Sequence, residues 1–154
     1  GLSSTATMNN IGGRPVIGGN QVIAVSHAGK MGAFALSDGA RLWTQDISGT
    51  QTPWIAGEHV FVISGRNVLA ALSRKDGGAR WSVSLPGGQK WAGPVMGGGR
   101  LLTVSSTGTL LSINPQNGQT LSQMNLDRQY FIAPVIANNT LYLLSDDGTL
   151  TALR

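Results

Sequence analysis

Residues Pro15 to Trp43 read PVIGGNQVIAVSHAGKMGAFALSDGARLW, and this stretch recurs along the chain. Counting from Pro15, prolines return at Pro53, Pro94 and Pro134, at spacings of 38, 41 and 40 residues. From the fourth to the eleventh place after each proline stand GNQVIAVS, GEHVFVIS, GGRLLTVS and NNTLYLLS. The nineteenth place holds Phe34, Leu72, Ile113 or Leu153. The twenty-fourth holds Gly39, Gly77 or Gly118, each preceded by Asp or Asn, and the twenty-eighth holds Trp43, Trp81 or Ser122. These columns align without a gap, and all length variation falls between the tryptophan column and the next proline. A repeat of about 40 residues reads as a propeller, a solenoid or an array.

Each copy predicts four strands. In the first, strand A runs from Pro15 to Gly18, where a missing N–H at the strand's first residue is tolerated. Strand B is Val22 to Ser26, apolar on both faces as in a sheet covered on both sides. Strand C is Met31 to Leu36. Asp38-Gly39 predicts a type I′ hairpin, which needs positive φ, and strand D is Arg41 to Ile47. The second copy predicts Val60 to Ser64, Val68 to Leu72 and Arg80 to Leu85. The third predicts Leu101 to Ser105, Leu110 to Ile113 and Thr120 to Leu126. The fourth predicts Pro134 to Ala137, Thr140 to Ser145 and Thr149 to Leu153, with no strand D. No helical period is present. Four-stranded units at this spacing predict an all-β propeller of about four blades. Their expected bounds are 14-51, 52-92, 93-132 and 133-154, after a polar loop or linker over 1-13.

Hydrophobic content is 41%, charge is 12%, and the 22 glycines suit tight turns better than helices. There is no cysteine, which excludes disulfides, thiolate metal sites and cysteine nucleophiles. No apolar run is long enough for a transmembrane helix, and no signal peptide is visible. The net charge is +4, but the basic residues do not cluster, Arg74-Lys75 being the one adjacent pair. Nucleic-acid binding needs a concentrated basic face, so no nucleic acid is expected as a partner.

The columns resemble the repeat of pyrroloquinoline-quinone-type (PQQ-type) propellers. That repeat runs proline, apolar pair, Gly-Gly, strand B, a Gly turn, strand C, an Asx-Gly turn and a docking tryptophan. Trp43 and Trp81 match that tryptophan, and the resemblance implies that they pack on the next blade. Ser122 at the same column implies a weaker third contact. WD-type propellers fit less well, since no Trp-Asp or Gly-His pair occurs.

Within the class, residues 10 to 154 are most similar to BamB-like outer-membrane assembly lipoproteins, with PVIANNTLYLLSDDGTLTALR resembling their C-terminus. The resemblance implies an eight-bladed ring of which this chain is about half. It also implies a periplasmic, outer-membrane-associated parent with a lipid anchor, and a non-enzymatic scaffold role. The implied partner is the periplasmic region of the BamA barrel-assembly receptor. The family's docking segment precedes a mid-chain proline and is commonly acidic. Here Asn10 and Gly12 stand there, ahead of Arg14-Pro15, which shifts the expected contact to Ile11, Arg14 and nearby loops. Two alternatives stand beside this reading: a fragment of a PQQ-dependent dehydrogenase, which would bind PQQ and calcium, and a generic propeller sensor domain. The missing cysteine pair and the length count against the first. No cofactor is expected.

Catalytic residues are not expected either. His27 falls in a B–C turn and His59 just before strand B, while Asp38, Asp76 and Asp146-Asp147 support turns. Strand alternation puts the B–C turns and the variable D–A loops on one face. Arg14, Lys30, Arg66, Lys90 and Arg128 lie there, with Trp91 and Tyr130, and Arg with aromatics is favoured interface material. The competing reading is of solvated loops in which Trp91 and Tyr130 cover the edge of the core. Three closures are open: a half-ring with bare edges, two chains paired as a homodimer, or a four-bladed ring whose missing strand comes from Leu2 to Met8. Bare strand edges favour the homodimer.

Overall fold

A computed structural model describes residues 11–154. Leu2 to Met8 and Asn10, invoked above as a closing strand and a contact residue, lie outside the described residues. Fifteen strands form four antiparallel sheets, each a meander in chain order. The first sheet is β1 (Val16–Gly18), β2 (Gln21–Val25), β3 (Met31–Ala35) and β4 (Arg41–Gln45). The second is β5 (Trp54–Ala56), β6 (His59–Ile63), β7 (Val68–Ser73) and β8 (Ala79–Ser84). The third is β9 (Trp91–Gly97), β10 (Arg100–Ser105), β11 (Thr109–Ile113) and β12 (Thr120–Asn125). The fourth has three strands: β13 (Val135–Ala137), β14 (Thr140–Leu144) and β15 (Leu150–Leu153).

The two turn types divide the glycine work differently from the sequence expectation. The A–B loops are the two-residue hairpins, closed by the pairs Gly18↔Gln21, Ala56↔His59, Gly97↔Arg100 and Ala137↔Thr140. In the last two, both loop residues have positive φ (Gly98-Gly99 and Asn138-Asn139), as type I′ turns require. The Asp38-Gly39 turn is not type I′. Gly39 alone is left-handed there, its N–H bonds the Ala35 carbonyl, and the Ala35 N–H bonds the Ala40 carbonyl. Asp38 Oδ1 accepts the Ala40 N–H at 3.0 Å, and Asp76 and Asn117 accept from Gly78 and Gln119 in the same way. This wider loop accompanies a register shift at Ala33/Phe34, repeated at Ala71/Leu72 and Ser112/Ile113.

The sheets pack face to face as successive blades. Inner strands β1, β5, β9 and β13 touch in that order, and β1 does not touch β13, so the four blades make an open arc. Alternation along each strand assigns the columns. The first, eighth, tenth, sixteenth and eighteenth places after the proline face the next blade: Val16, Ile23, Val25, Met31 and Ala33 in the first joint. The second, seventh, ninth, seventeenth and nineteenth face the previous blade: Ile55, Val60, Val62, Ala70 and Leu72. The second joint repeats this with Phe61, Ile63 and Leu69 against Leu101, Leu111 and Ile113. The third sets Val104 and Leu110 against Leu141, Leu143 and Leu153. Each buried aliphatic side chain is worth about 1.5–3 kcal/mol, so these joints outweigh the exposed ion pairs, worth about 0–1 kcal/mol each.

Among the described residues, the first and fourth sheets each leave a face without a packed neighbour, and the edge strands of each sheet are its inner and its outer strand.

A candidate docking face on the loop side of the arc

The face made by the B–C turns and D–A loops is shaped by one repeated serine. Ser26, Ser64, Ser105 and Ser145 end strand B in each copy. Each side-chain oxygen accepts the backbone N–H four residues on, from Lys30, Val68, Thr109 and Thr149, at 3.3, 3.3, 3.0 and 3.2 Å. The third residue of each turn is left-handed: Gly29, Asn67, Gly108 and Gly148. The serine column was legible as a strand end; its role as a turn cap was not.

The D–A connections lie against these turns. Ser26 bridges both Ile11 and Ser48, and the Gly65 N–H bonds the Ser48 carbonyl. A Cβ at Gly12 would lie 2.1 Å from the Gly49 carbonyl oxygen, so this place ahead of Arg14-Pro15 has no room for a side chain. Ile11 is exposed, and Arg14 is exposed with its N–H on Thr52 Oγ1.

Two clefts open on this face. One, of about 500 Å³, lies between the first two blades and is lined by Asp46, Ser48, Val62, Ser64 and Arg66. The other, of about 420 Å³, lies between the second and third and is lined by Gln51, Ser64, Asn67, Lys90 and Phe131. Ser64 borders both. The five basic residues are not equivalent. Lys30 pairs with Asp46 and Arg128 with Asp147, whereas Arg66 and Lys90 have no ion-pair partner among the described residues. Three hydrogen bonds from Ser145 and Thr149, then the Arg128 charge, hold the Asp147 carboxyl down at about 2.

For Trp91 and Tyr130 the burial favours the competing reading, a cover for the edge of the core, over that of partner-facing aromatics. Trp91 is 3% exposed and donates its Nε1–H to the Pro86 carbonyl at 2.9 Å; Tyr130 is 1% exposed and packs in the third joint. The D–A loops fold back under the face, so these rings close the core, with Trp91 also lining the second cleft. Phe131, at 48% exposure beside exposed Ile132, is the aromatic that the face does present. Its signal was an apolar pair inside a polar connection.

Trp43 and Trp81 lie on the opposite side of the blades. Trp43 Nε1 donates to the Arg74 carbonyl of the second blade at 2.8 Å, and Trp81 Nε1 to the Pro115 carbonyl of the third at 2.9 Å. Each indole also covers a turn glycine: a Cβ at Gly77 or Gly118 would sit 2.6 Å from the ring. His27 is exposed, His59 lies in β6 beside Phe61, and among the described residues no three His, Cys, Asp or Glu cluster to hold a metal.

The meanders, their face-to-face joints and the indole clamps define a β-propeller arc of PQQ-type blades. The family model described as outer membrane protein assembly factor BamB matches residues 1–83 and 65–154, and the chain belongs to that family. Two proteins named outer membrane protein assembly factor BamB are similar to it. That of Alkalilimnicola ehrlichii is 30% identical over 155 residues, and that of Legionella pneumophila 24% identical over 153. The chain spans 40% of the length of each. Among solved structures, BamB from Moraxella catarrhalis superposes with a TM-score of 0.85 at 24% identity, over 92% of this chain and 42% of that one. The designed protein Ika4 superposes at 0.78 and 12% identity, over 96% of this chain and 94% of its own. A quinohemoprotein alcohol dehydrogenase from Comamonas testosteroni superposes at 0.64 and 16% identity. These structural likenesses concern the fold alone.

Proposed function

We propose that this chain is a non-enzymatic docking module of outer-membrane β-barrel protein assembly, acting in the periplasm at the outer membrane. Membership of the BamB family supports the process. The proposed partner is the periplasmic region of a BamA-type receptor. The proposed contact is the loop face, where Arg66 and Lys90, without ion-pair partners among the described residues, and exposed Phe131 border adjoining clefts. That juxtaposition is the observation carrying the reading: two such cations beside an apolar anchor suit a partner with acidic and apolar side chains. Lys30 and Arg128 contribute less, because each would first have to leave its carboxylate.

Binding of the receptor's soluble periplasmic region, followed by calorimetry, tests this. Arg66→Glu with Lys90→Glu should weaken binding at least tenfold, since like-charge contacts at an interface cost several kcal/mol. Phe131→Ser should weaken it further. Unchanged affinity in a triple variant that keeps its β-sheet circular dichroism would remove this face from the contact.

A further inference from the structure

On the side of the A–B and C–D turns, opposite the loop face, the first and second joints differ at one place. In the first joint Arg74, at the twenty-first place after its proline, reaches back across the joint and fills the gap between the A–B turns. Its guanidinium donates to the Gly18 carbonyl at 2.6 Å, to the Gly57 carbonyl at 2.9 Å and to Gln21 Oε1 at 3.3 Å. Gln21 Nε2 in turn donates to the Arg74 carbonyl at 3.0 Å. In the next copy the twenty-first place is Pro115, and the sixth, where Gln21 stands in the first, is His59. Pro115 keeps the carbonyl that Trp81 bonds, as Arg74 does for Trp43, but has no side chain to reach across. A cleft of about 350 Å³ remains between Ala56, His59, Phe61 and Trp81 of the second blade and Met96 and Pro115 of the third. Both of its walls are blades within the arc.

The lining has a definite chemistry. Phe61 is buried, and His59 and Trp81 flank it with ring centroids 6.2 and 6.1 Å away, tilted by 35° and 40°. These three rings and the Met96 thioether make an apolar wall that a flat ring can lie against in offset or tilted contact. Arg80, exposed at the mouth, has no ion-pair partner among the described residues. Asp76, the nearest acidic residue along the chain, accepts the Gly78 N–H in its own turn at 2.9 Å. Among the described residues no carboxylate side chain lines the cleft. An aromatic-walled hollow with one or two placed polar groups is the usual make-up of a small-molecule site. A guanidinium binds a carboxylate through two parallel N–H···O bonds.

We infer that this cleft binds a small aromatic carboxylate, its ring laid against Phe61 and Trp81 and its carboxylate held by Arg80. Arg80 disfavours a cationic ligand, and the apolar wall disfavours a small, strongly hydrated anion. The first joint offers no second copy of the site. Arg74 fills it, and Gln21, Ile23 and Leu42 stand where the second joint has His59, Phe61 and Arg80. The cleft faces away from the loop face, so its occupancy and the proposed receptor contact can each stand or fall alone.

Cinnamate and its neutral amide, cinnamamide, titrated into isotope-labelled protein and followed by NMR, test this. Cinnamate should shift the Trp81 indole N–H resonance to saturation and leave that of Trp43 in place. Cinnamamide should bind about tenfold more weakly, because it lacks the charge that Arg80 takes up. Arg80→Gln, at an exposed site, should bring cinnamate down to the level of cinnamamide and leave cinnamamide unchanged. Pro115→Arg installs the side chain that fills the first joint, keeps the carbonyl for Trp81, and should abolish binding of both. Circular dichroism checks that each variant is folded. Four results would each overturn the inference: no saturable binding of cinnamate, equal affinity for acid and amide, indifference to Arg80→Gln, or binding that survives in folded Pro115→Arg.

Discussion

The first two joints of the arc and the third are built on the same columns and are not equally made. In the first two, an Ala faces a Trp across strands C and D, Ala33 opposite Trp43 and Ala71 opposite Trp81. In the third, both places are serine, Ser112 opposite Ser122. The consequences are local and visible. Ser112 Oγ is buried with no hydrogen-bond partner, every residue of β12 is exposed, and a cleft of about 450 Å³ opens among Leu102, Ser112, Ser122, Met124 and Leu153. Pairing a small residue with a very large one fills the joint; pairing two small polar ones leaves it hollow. The indole also carries its N–H to a carbonyl on the next blade, so it locks orientation as well as volume. The third joint holds by its inner and middle strands alone.

The clamped joints should therefore be the more sensitive to truncation. Trp43→Ala, which removes a buried indole and its hydrogen bond, should lower stability by about 3–5 kcal/mol in chemical denaturation; a loss near zero would mean that the clamp is ornamental. Gly118→Ala should cost about 2 kcal/mol, because the residue is left-handed and Trp81 occupies the space. At the hollow joint the sign should reverse. Ser112→Ala removes an unpaired buried hydroxyl and should raise stability by about 1 kcal/mol, seen as a rise in Tm of about 2–4 °C. A fall in Tm there would mean that the hydroxyl has a partner after all.

The smallest effect concerns the fourth blade's B–C turn. The Asp147 carboxyl titrates at about 2 in the folded chain against 3.8 as the ordinary value. Its depressed value means that the stabilisation is complete above the ordinary value and drains away as pH falls towards 2. Asp147→Asn should lower stability slightly at neutral pH and flatten the acid limb, so that the variant and the parent converge as pH falls towards 2.

Much of the fold was legible because the repeat repeats its physics: alternating apolar places gave the strands, and glycine with Asx gave the turns. The turn types were exchanged at one end. Asx-Gly in the C–D loops suggested a two-residue hairpin, but the loop is wider and an extra residue follows it on strand D (Leu42, Arg80 or Leu121), and a bulge depends on pairing that a single strand does not record. Trp91 and Tyr130 were open to two readings, as presented aromatics or as a cover for the core edge, and their burial favours the second. Their loops are polar in sequence, and only the fold reveals that the chain dips beneath the face before rising to the next proline. Arg66 and Lys90 could be placed on the loop face from strand alternation, whereas the loss of Lys30 and Arg128 to Asp46 and Asp147 depends on side-chain reach. The clamp residues stood out by their spacing, and their packing on the next blade was implied by the resemblance to PQQ-type repeats.

The serine that ends each strand B has a further consequence. It belongs to the strand, yet its oxygen satisfies the far side of the turn, so the shape of each loop is set from outside the loop. The residues enclosed are His27-Ala28-Gly29, Gly65-Arg66-Asn67, Ser106-Thr107-Gly108 and Asp146-Asp147-Gly148, and they share little beyond a left-handed third residue. Change at the first two places therefore leaves the serine cap itself in place. The loop face behaves as a row of interchangeable keys on a fixed frame, on which charge and shape can drift to follow a partner while the blades beneath stay as they are.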